Sequence, residues 1–180
     1  MTPSPDLSGH WQGFYTQHDH PRPMTAEFDQ DGDRLTGTMN DDCTVFDASV
    51  SDLVMEEGLP PGTDEQIVER LRSMVPDLPE GLVRAEVLLP GDSVVDGEVQ
   101  GRTVRFLKTY QGAYFTGYRV GDLRIGMTGE SHEVQYRGSV SRDGTEIEGR
   151  WHLEHDSTPS LCRRTEGGFW LRKLDMGPCL

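Results

Sequence analysis

Residues Tyr136 to Leu153 read YRGSVSRDGTEIEGRWHL, two alternating runs joined at Asp143-Gly144. Before the turn, Val134, Tyr136, Gly138 and Val140 share one parity, and Gln135, Arg137, Ser139 and Ser141 the other. After it, Ile147, Gly149, Trp151 and Leu153 alternate with Glu146, Glu148, Arg150 and His152. Successive side chains of a strand point to opposite faces, so each run reads as a strand with one buried face. Asp-Gly between two such runs reads as a hairpin turn. Phe28 to Met39 (FDQDGDRLTGTM) repeats the pattern around Asp31-Gly32. Aligned on the turns, Leu35 matches Ile147, Gly37 matches Gly149 and Met39 matches Trp151. Hairpins of one type leave sheet edges to be dealt with, and closing the sheet on itself removes them. The expected fold is all-β: a closed antiparallel β-structure with one short helical insertion.

The other strands follow from the same alternation. Gly9 to Gln17 puts Trp11, Gly13 and Tyr15 on one face. His18 to Pro23 reads as a loop, because its two prolines cannot donate to a ladder. Met24, Ala26 and Phe28 share a face, then Leu35, Gly37 and Met39. Asn40-Asp41-Asp42 reads as a turn into a fourth strand carrying Phe46, Ala48 and Val50. Val95, Gly97 and Val99 lead through Gln100-Gly101 to Val104, Phe106, Lys108 and Tyr110. Gly112 to Met127 reads as a further hairpin, and Gly168 to Leu174 as the last strand.

Met55 to Pro90 breaks this rhythm. Thr63 and Gln66 have capping-box spacing, and Ile67, Leu71 and Met74 or Val75 recur at helical intervals. This predicts a helix over Asp64 to Val75, stopped by Pro76 and Pro79. Ile67 and Leu71 are expected to pack on the outside of the barrel or over one end. Leu82 to Leu89 reads as a strand continuing the insertion. Ser51 to Glu80 holds eight acidic residues against Arg70 and Arg72. The expected organisation is a lead-in at 1–8, a single barrel domain at 9–174 with an acidic helical insertion at about 55–90, and a tail at 175–180.

The formal net charge is −14, which opposes binding to nucleic acid or to an anionic membrane surface. No apolar run approaches the ~18 residues of a membrane span. Three cysteines, Cys43, Cys162 and Cys179, fit neither a disulfide framework nor a zinc motif. With no secretory pattern in MTPSPDLSGHW, the expectation is a cytoplasmic protein. His18-Asp19-His20 and His152 with Glu154 and Asp156 carry metal-binding chemistry, but at no known ligand spacing, so no metal is expected. No nucleophile motif or phosphate-cradling loop is present, and no cofactor is implied. The chain does not read as an enzyme.

Gly9-His10-Trp11 at the head of the first strand, with Arg172-Lys173 on the last, resembles the calycins, the lipocalin and avidin group. In that group a basic side chain packs across the tryptophan. The likeness covers Gly9 to Met39 and Val134 to Lys173. It implies a calycin-like up-and-down barrel with a small-molecule site in its mouth. Two departures stand: the helix falls mid-chain, and the biotin-binding pattern of avidin is not found.

Parity gives the candidate site. If Trp11 faces inward, so does Tyr15; Phe106 brings Lys108 and Tyr110; Val134 brings Tyr136; and Trp151 adds wall. An apolar lumen with a few polar tips suits a small, partly apolar ligand, and one lysine among phenols would suit an anionic one. The second reading is a filled, non-enzymatic barrel that meets a protein partner through its acidic insertion.

Overall fold

The computed structural model describes residues 4–17, 20–41, 64–80, 82–129, 133–154 and 164–174. Within them lie strands β1 (Gly9–Gln17), β2 (His20–Asp31) and β3 (Arg34–Asp41), helix α1 (Asp64–Met74), and strands β4 (Val83–Leu88), β5 (Asp92–Gln100), β6 (Thr103–Tyr110), β7 (Tyr114–Val120), β8 (Leu123–Gly129), β9 (Glu133–Val140), β10 (Glu146–Glu154) and β11 (Arg164–Lys173). These elements divide into two compact units.

The first unit is a closed antiparallel barrel in the order β1-β11-β10-β9-β6-β5-β3-β2. Strands consecutive in the barrel are also consecutive in the chain, once the excursions through β4 and β7–β8 are set aside. Trp11 lies opposite Lys173 on one side and Ala26 on the other, which closes the ring. Inward parity holds without a bulge along β6, where Val104, Phe106, Lys108 and Tyr110 are all buried. Gly149 and Gly138 face each other across β9 and β10. A Cβ on Gly149 would stand 2.1 Å from the Arg137 carbonyl oxygen, and one on Gly138 would meet the Phe169 ring at 2.9 Å. Bare backbone there lets the strands bend together and gives the ring its place.

Both expected hairpins form; the second turns at Asp143-Gly144 as expected, within a longer loop, and the first turns one residue later than the Asp31-Gly32 reading. In the first, Asp31 pairs with Arg34, so the two-residue loop is Gly32-Asp33, and Gly32 takes φ 61°. The second spans Ser141 to Thr145. There the Asp143 carboxylate accepts from the Thr145 backbone N–H at 3.2 Å and from the Thr145 hydroxyl at 2.8 Å. Donation from Ser141 and Thr145 holds the Asp143 carboxyl down at about 2.

Pro21 and Pro23 do not break the chain as the sequence suggests; both lie within β2. Among the described residues, pairing with β3 begins at Met24, and residues 20–23 are paired with β1 alone. A missing N–H costs no ladder bond at such an edge. His18 and Asp19 lie outside the described residues, as do Asp42, the expected strand carrying Phe46 to Val50, Thr63, the three cysteines and the tail. The edge of β3 that the Phe46 strand would have filled is taken by β5, from Arg34↔Glu98 to Asn40↔Asp92.

Residues 4–8 cross the end of the barrel where the short turns lie. Leu7 is fully buried, its N–H donates to Gln30 Oε1 at 2.9 Å, and its carbonyl accepts the Trp11 indole N–H at 2.8 Å. Lys173 Nζ stands 5.9 Å from the Trp11 ring centroid and donates to the Asp6 carbonyl at 2.9 Å. Of the basic pair, Lys173 makes the tryptophan contact; Arg172 is exposed beside Gln12 and Glu146.

The second unit contains α1 and the three-stranded sheet β4-β7-β8. Ile67 and Leu71 face the inside of this unit. They form a core with Val83, Tyr118 and Val120, edged by Val68 and Leu78. The Gly112 to Met127 hairpin belongs here because β7 takes β4 as its second neighbour. On this sheet Glu86 is buried; Arg124 Nε donates to it at 2.6 Å, and Arg119 Nη1 lies 3.7 Å away. Among the described residues, no helix is long and apolar enough to cross a membrane.

Candidate functional site

Inward positions differ along the barrel. At the turn end Trp11, Leu35, Val99, Val104, Val140, Ile147 and Leu171 are all 0 % exposed, a solid plug. Further along, aromatic residues predominate. Phe106 stacks on Tyr136, with centroids 4.8 Å apart and planes at 8°, and Phe169 stands edge-on to Tyr136 at 5.0 Å. Tyr15 meets Trp151 edge-on at 6.0 Å. The Trp151 indole donates to the Thr16 carbonyl at 3.1 Å, which fixes the ring across β11. Tyr15, Ala26, Phe106, Tyr136, Trp151 and Phe169 keep 4–6 % of their surface exposed although they point inward.

Among these rings sits a charged cluster. Lys108 is 0 % exposed and Asp41 3 %. Lys108 Nζ donates to Asp41 Oδ1 at 2.7 Å and to the Tyr110 hydroxyl oxygen at 3.0 Å. The Tyr110 hydroxyl donates to Asp41 Oδ2, closing a triangle. Nζ lies 4.3 Å from the Tyr110 ring centroid and 5.9 Å from that of Tyr15. Nearby the Ser93 hydroxyl donates to the Met39 carbonyl at 2.7 Å.

Strand parity produces this arrangement. Asp41 ends β3 on the parity of Leu35 and Met39 and pairs with Met24. Lys108 and Tyr110 are two residues apart on β6, and Ser93 pairs with Tyr110. Burial pushes the Lys108 ammonium below the usual lysine range, and the Asp41 carboxylate opposes that shift. Burial, then the Asp41 charge, holds the Tyr110 and Tyr136 phenols well above the ordinary range.

Of the residues named from sequence, Tyr15, Lys108, Tyr110, Tyr136, Phe106 and Trp151 come together in this half of the barrel. Trp11 does not; it belongs to the plug with Leu7 and Lys173. Asp41 is the residue the sequence reading missed. Asn40-Asp41-Asp42 has turn composition, but continuing the parity of Leu35, Gly37 and Met39 by one step places Asp41 inside.

The tyrosines allow a direct check. Above pH ~10 unfolded phenols ionise while Tyr110 and Tyr136 remain protonated, so the native state then binds more protons and stability falls as pH rises. Alkaline titration followed by tyrosinate absorbance should therefore leave both silent until the barrel unfolds. Reversible ionisation of both near pH 10 in the folded protein would contradict their burial.

No known protein family matches the chain, and neither a curated protein nor a solved structure matches it.

Proposed function

We propose that the barrel binds a small, partly apolar molecule in its lumen. The molecule's apolar body lies against Phe106, Tyr136, Trp151 and Tyr15, and its polar group lies toward Lys108 and Tyr110. The observation that carries this reading is the Asp41–Lys108–Tyr110 triangle inside an aromatic lumen. A buried ion pair does little for stability, since well-packed apolar residues serve a filled core as well or better. Its presence among inward rings that keep some exposed surface suits a binding site better than a filler. The calycin resemblance supports the same reading through Trp11, Lys173 and the eight-strand meander.

Asp41 alters the ligand chemistry expected from Lys108 alone. The ammonium already has a counter-charge, so the cluster as a whole offers both donors and acceptors. A neutral group such as a carbonyl or hydroxyl suits it better than a free anion.

Ala26 offers the test. It is inward and buried, 6 % exposed, so Ala26→Leu adds bulk inside the barrel. With N-phenyl-1-naphthylamine as an uncharged probe, the parent should show saturable enhancement of probe fluorescence. Ala26→Leu should weaken it at least tenfold with little change in melting temperature. A filled core would behave oppositely: no saturable probe binding in the parent, and a loss of about 1–3 kcal/mol in the variant from overpacking.

A further inference from the structure

The chain contains seventeen basic residues besides histidine, of which fifteen are arginine and only two lysine. Surface cations of the barrel, such as Arg34, Arg105 and Arg150, are arginines. One lysine, Lys173, closes the plug. The other, Lys108, stands where a guanidinium's five donors and larger size would be hardest to satisfy, and where it brings chemistry that arginine lacks. A desolvated primary amine is the usual form of a lysine that adds to carbonyl groups.

We propose that Lys108 Nζ is a nucleophile that captures an aldehyde ligand of the lumen as an imine, with Asp41 and Tyr110 handling the protons. This rests on the lumen-binding reading and names the reactive group of its ligand. Asp41 Oδ1, at 2.7 Å, takes a proton from the ammonium. The freed amine lone pair attacks the aldehyde carbon and forms a C–N bond, while the carbonyl π bond breaks and leaves a carbinolamine. The carbinolamine oxygen departs as water, using the proton returned through Asp41 or the Tyr110 hydroxyl, which touches both partners. Ammonium and aldehyde thus become iminium and water, with charge conserved and no oxidant or reductant required. Asp41 then faces the iminium as its counter-ion. Burial, which lowers the ammonium's proton affinity, and exclusion of bulk water both favour the adduct. On the aromatic side of the cluster the Tyr15 ring centroid lies 5.9 Å from Nζ.

The experiment uses the full chain, cinnamaldehyde as the probe, and cyanoborohydride to trap any imine as a stable secondary amine. Peptide mapping by mass spectrometry then compares Lys108, Lys173 and the amino terminus, the only primary amines in the sequence. Lys108 should be trapped at least tenfold faster than Lys173 at pH 7. Tyr110→Phe should slow the trapping tenfold or more, the lower part of the range for a lost proton-transfer group. Lys108→Arg should abolish it at that position. If Lys108→Arg does not fold, Lys108→Met with Asp41→Asn removes both charges together and should likewise give no adduct. Intrinsic tryptophan fluorescence follows non-covalent binding in parallel. Saturable quenching by cinnamaldehyde with no trapping at Lys108 would overturn the imine while leaving lumen binding intact. Neither quenching nor trapping would overturn both. Trapping at Lys108 no faster than at Lys173 would overturn the proposed activation.

Discussion

Asp41→Ala is expected to destabilise the barrel by about 3–5 kcal/mol, the usual cost of stripping one partner from a buried ion pair. Lys108 is 0 % exposed and would lose its carboxylate at 2.7 Å, and the Tyr110 hydroxyl would lose its acceptor. Lys108→Met should cost a similar amount, because it leaves Asp41 buried without the ammonium. Lys108 considered alone suggests the opposite, an apolar replacement tolerated or even favourable; Asp41 reverses the sign. The double variant Asp41→Ala with Lys108→Met should cost far less than the sum of the two single losses, giving a coupling well above the ~0.5 kcal/mol seen for independent sites. Removing Asp41 also leaves burial acting alone on Lys108, so its proton affinity falls further. Between that lowered pKa and the unfolded value near ~10.4, the unfolded chain holds more protons, and the Asp41→Ala variant should gain stability as pH rises. Denaturant titrations of the four proteins at two pH values check both points. Single variants within ~0.5 kcal/mol of the parent would show that the pair is not buried as described.

The second large effect is at the plug. Trp11→Ala should cost about 3–5 kcal/mol, as for other fully buried aromatic residues. Its indole packs 6.0 Å from the Phe28 ring centroid, and its N–H holds the Leu7 carbonyl. That bond holds residues 4–8 together with those from Leu7 N–H to Gln30 and from Lys173 to the Asp6 carbonyl, so the variant should also loosen the segment toward proteolysis ahead of global unfolding. Trp11→Phe keeps much of the ring but not the N–H. It should lose less stability while still freeing the segment. Unchanged protease resistance in both variants would show that Leu7 is held by other contacts.

What could be read from the sequence depended on how local its cause was. The alternation in β6, β9 and β10 gave inward faces directly, because a strand with one buried face has no other way to distribute its side chains. Lys108, Tyr110, Tyr136 and Trp151 were placed by that rule. Asp41 was missed because three consecutive Asn/Asp residues favour a turn, and it takes the ladders to β2 and β5 to keep the chain extended through Asn40. Pro21 and Pro23 were misread because whether a missing N–H matters depends on the neighbouring strand. The β7–β8 hairpin was recognised, but its sheet was not: a turn is encoded in a few residues, whereas the choice of β4 as neighbour depends on pairing across 27 to 37 residues, from Leu88↔Phe115 to Val83↔Val120. Trp11 was assigned to the site by parity, which fixes the face of a residue and not its height along the barrel.

Native mass spectrometry of the freshly purified full chain tests the central claim most directly. One small molecule per chain, retained under gentle conditions and released on unfolding, is the result expected of a binding lumen. Its retention should be lost in Ala26→Leu. Chain mass alone, unchanged after saturating N-phenyl-1-naphthylamine is added to folded protein, would contradict a ligand-binding barrel and leave the buried triangle as part of a filled core.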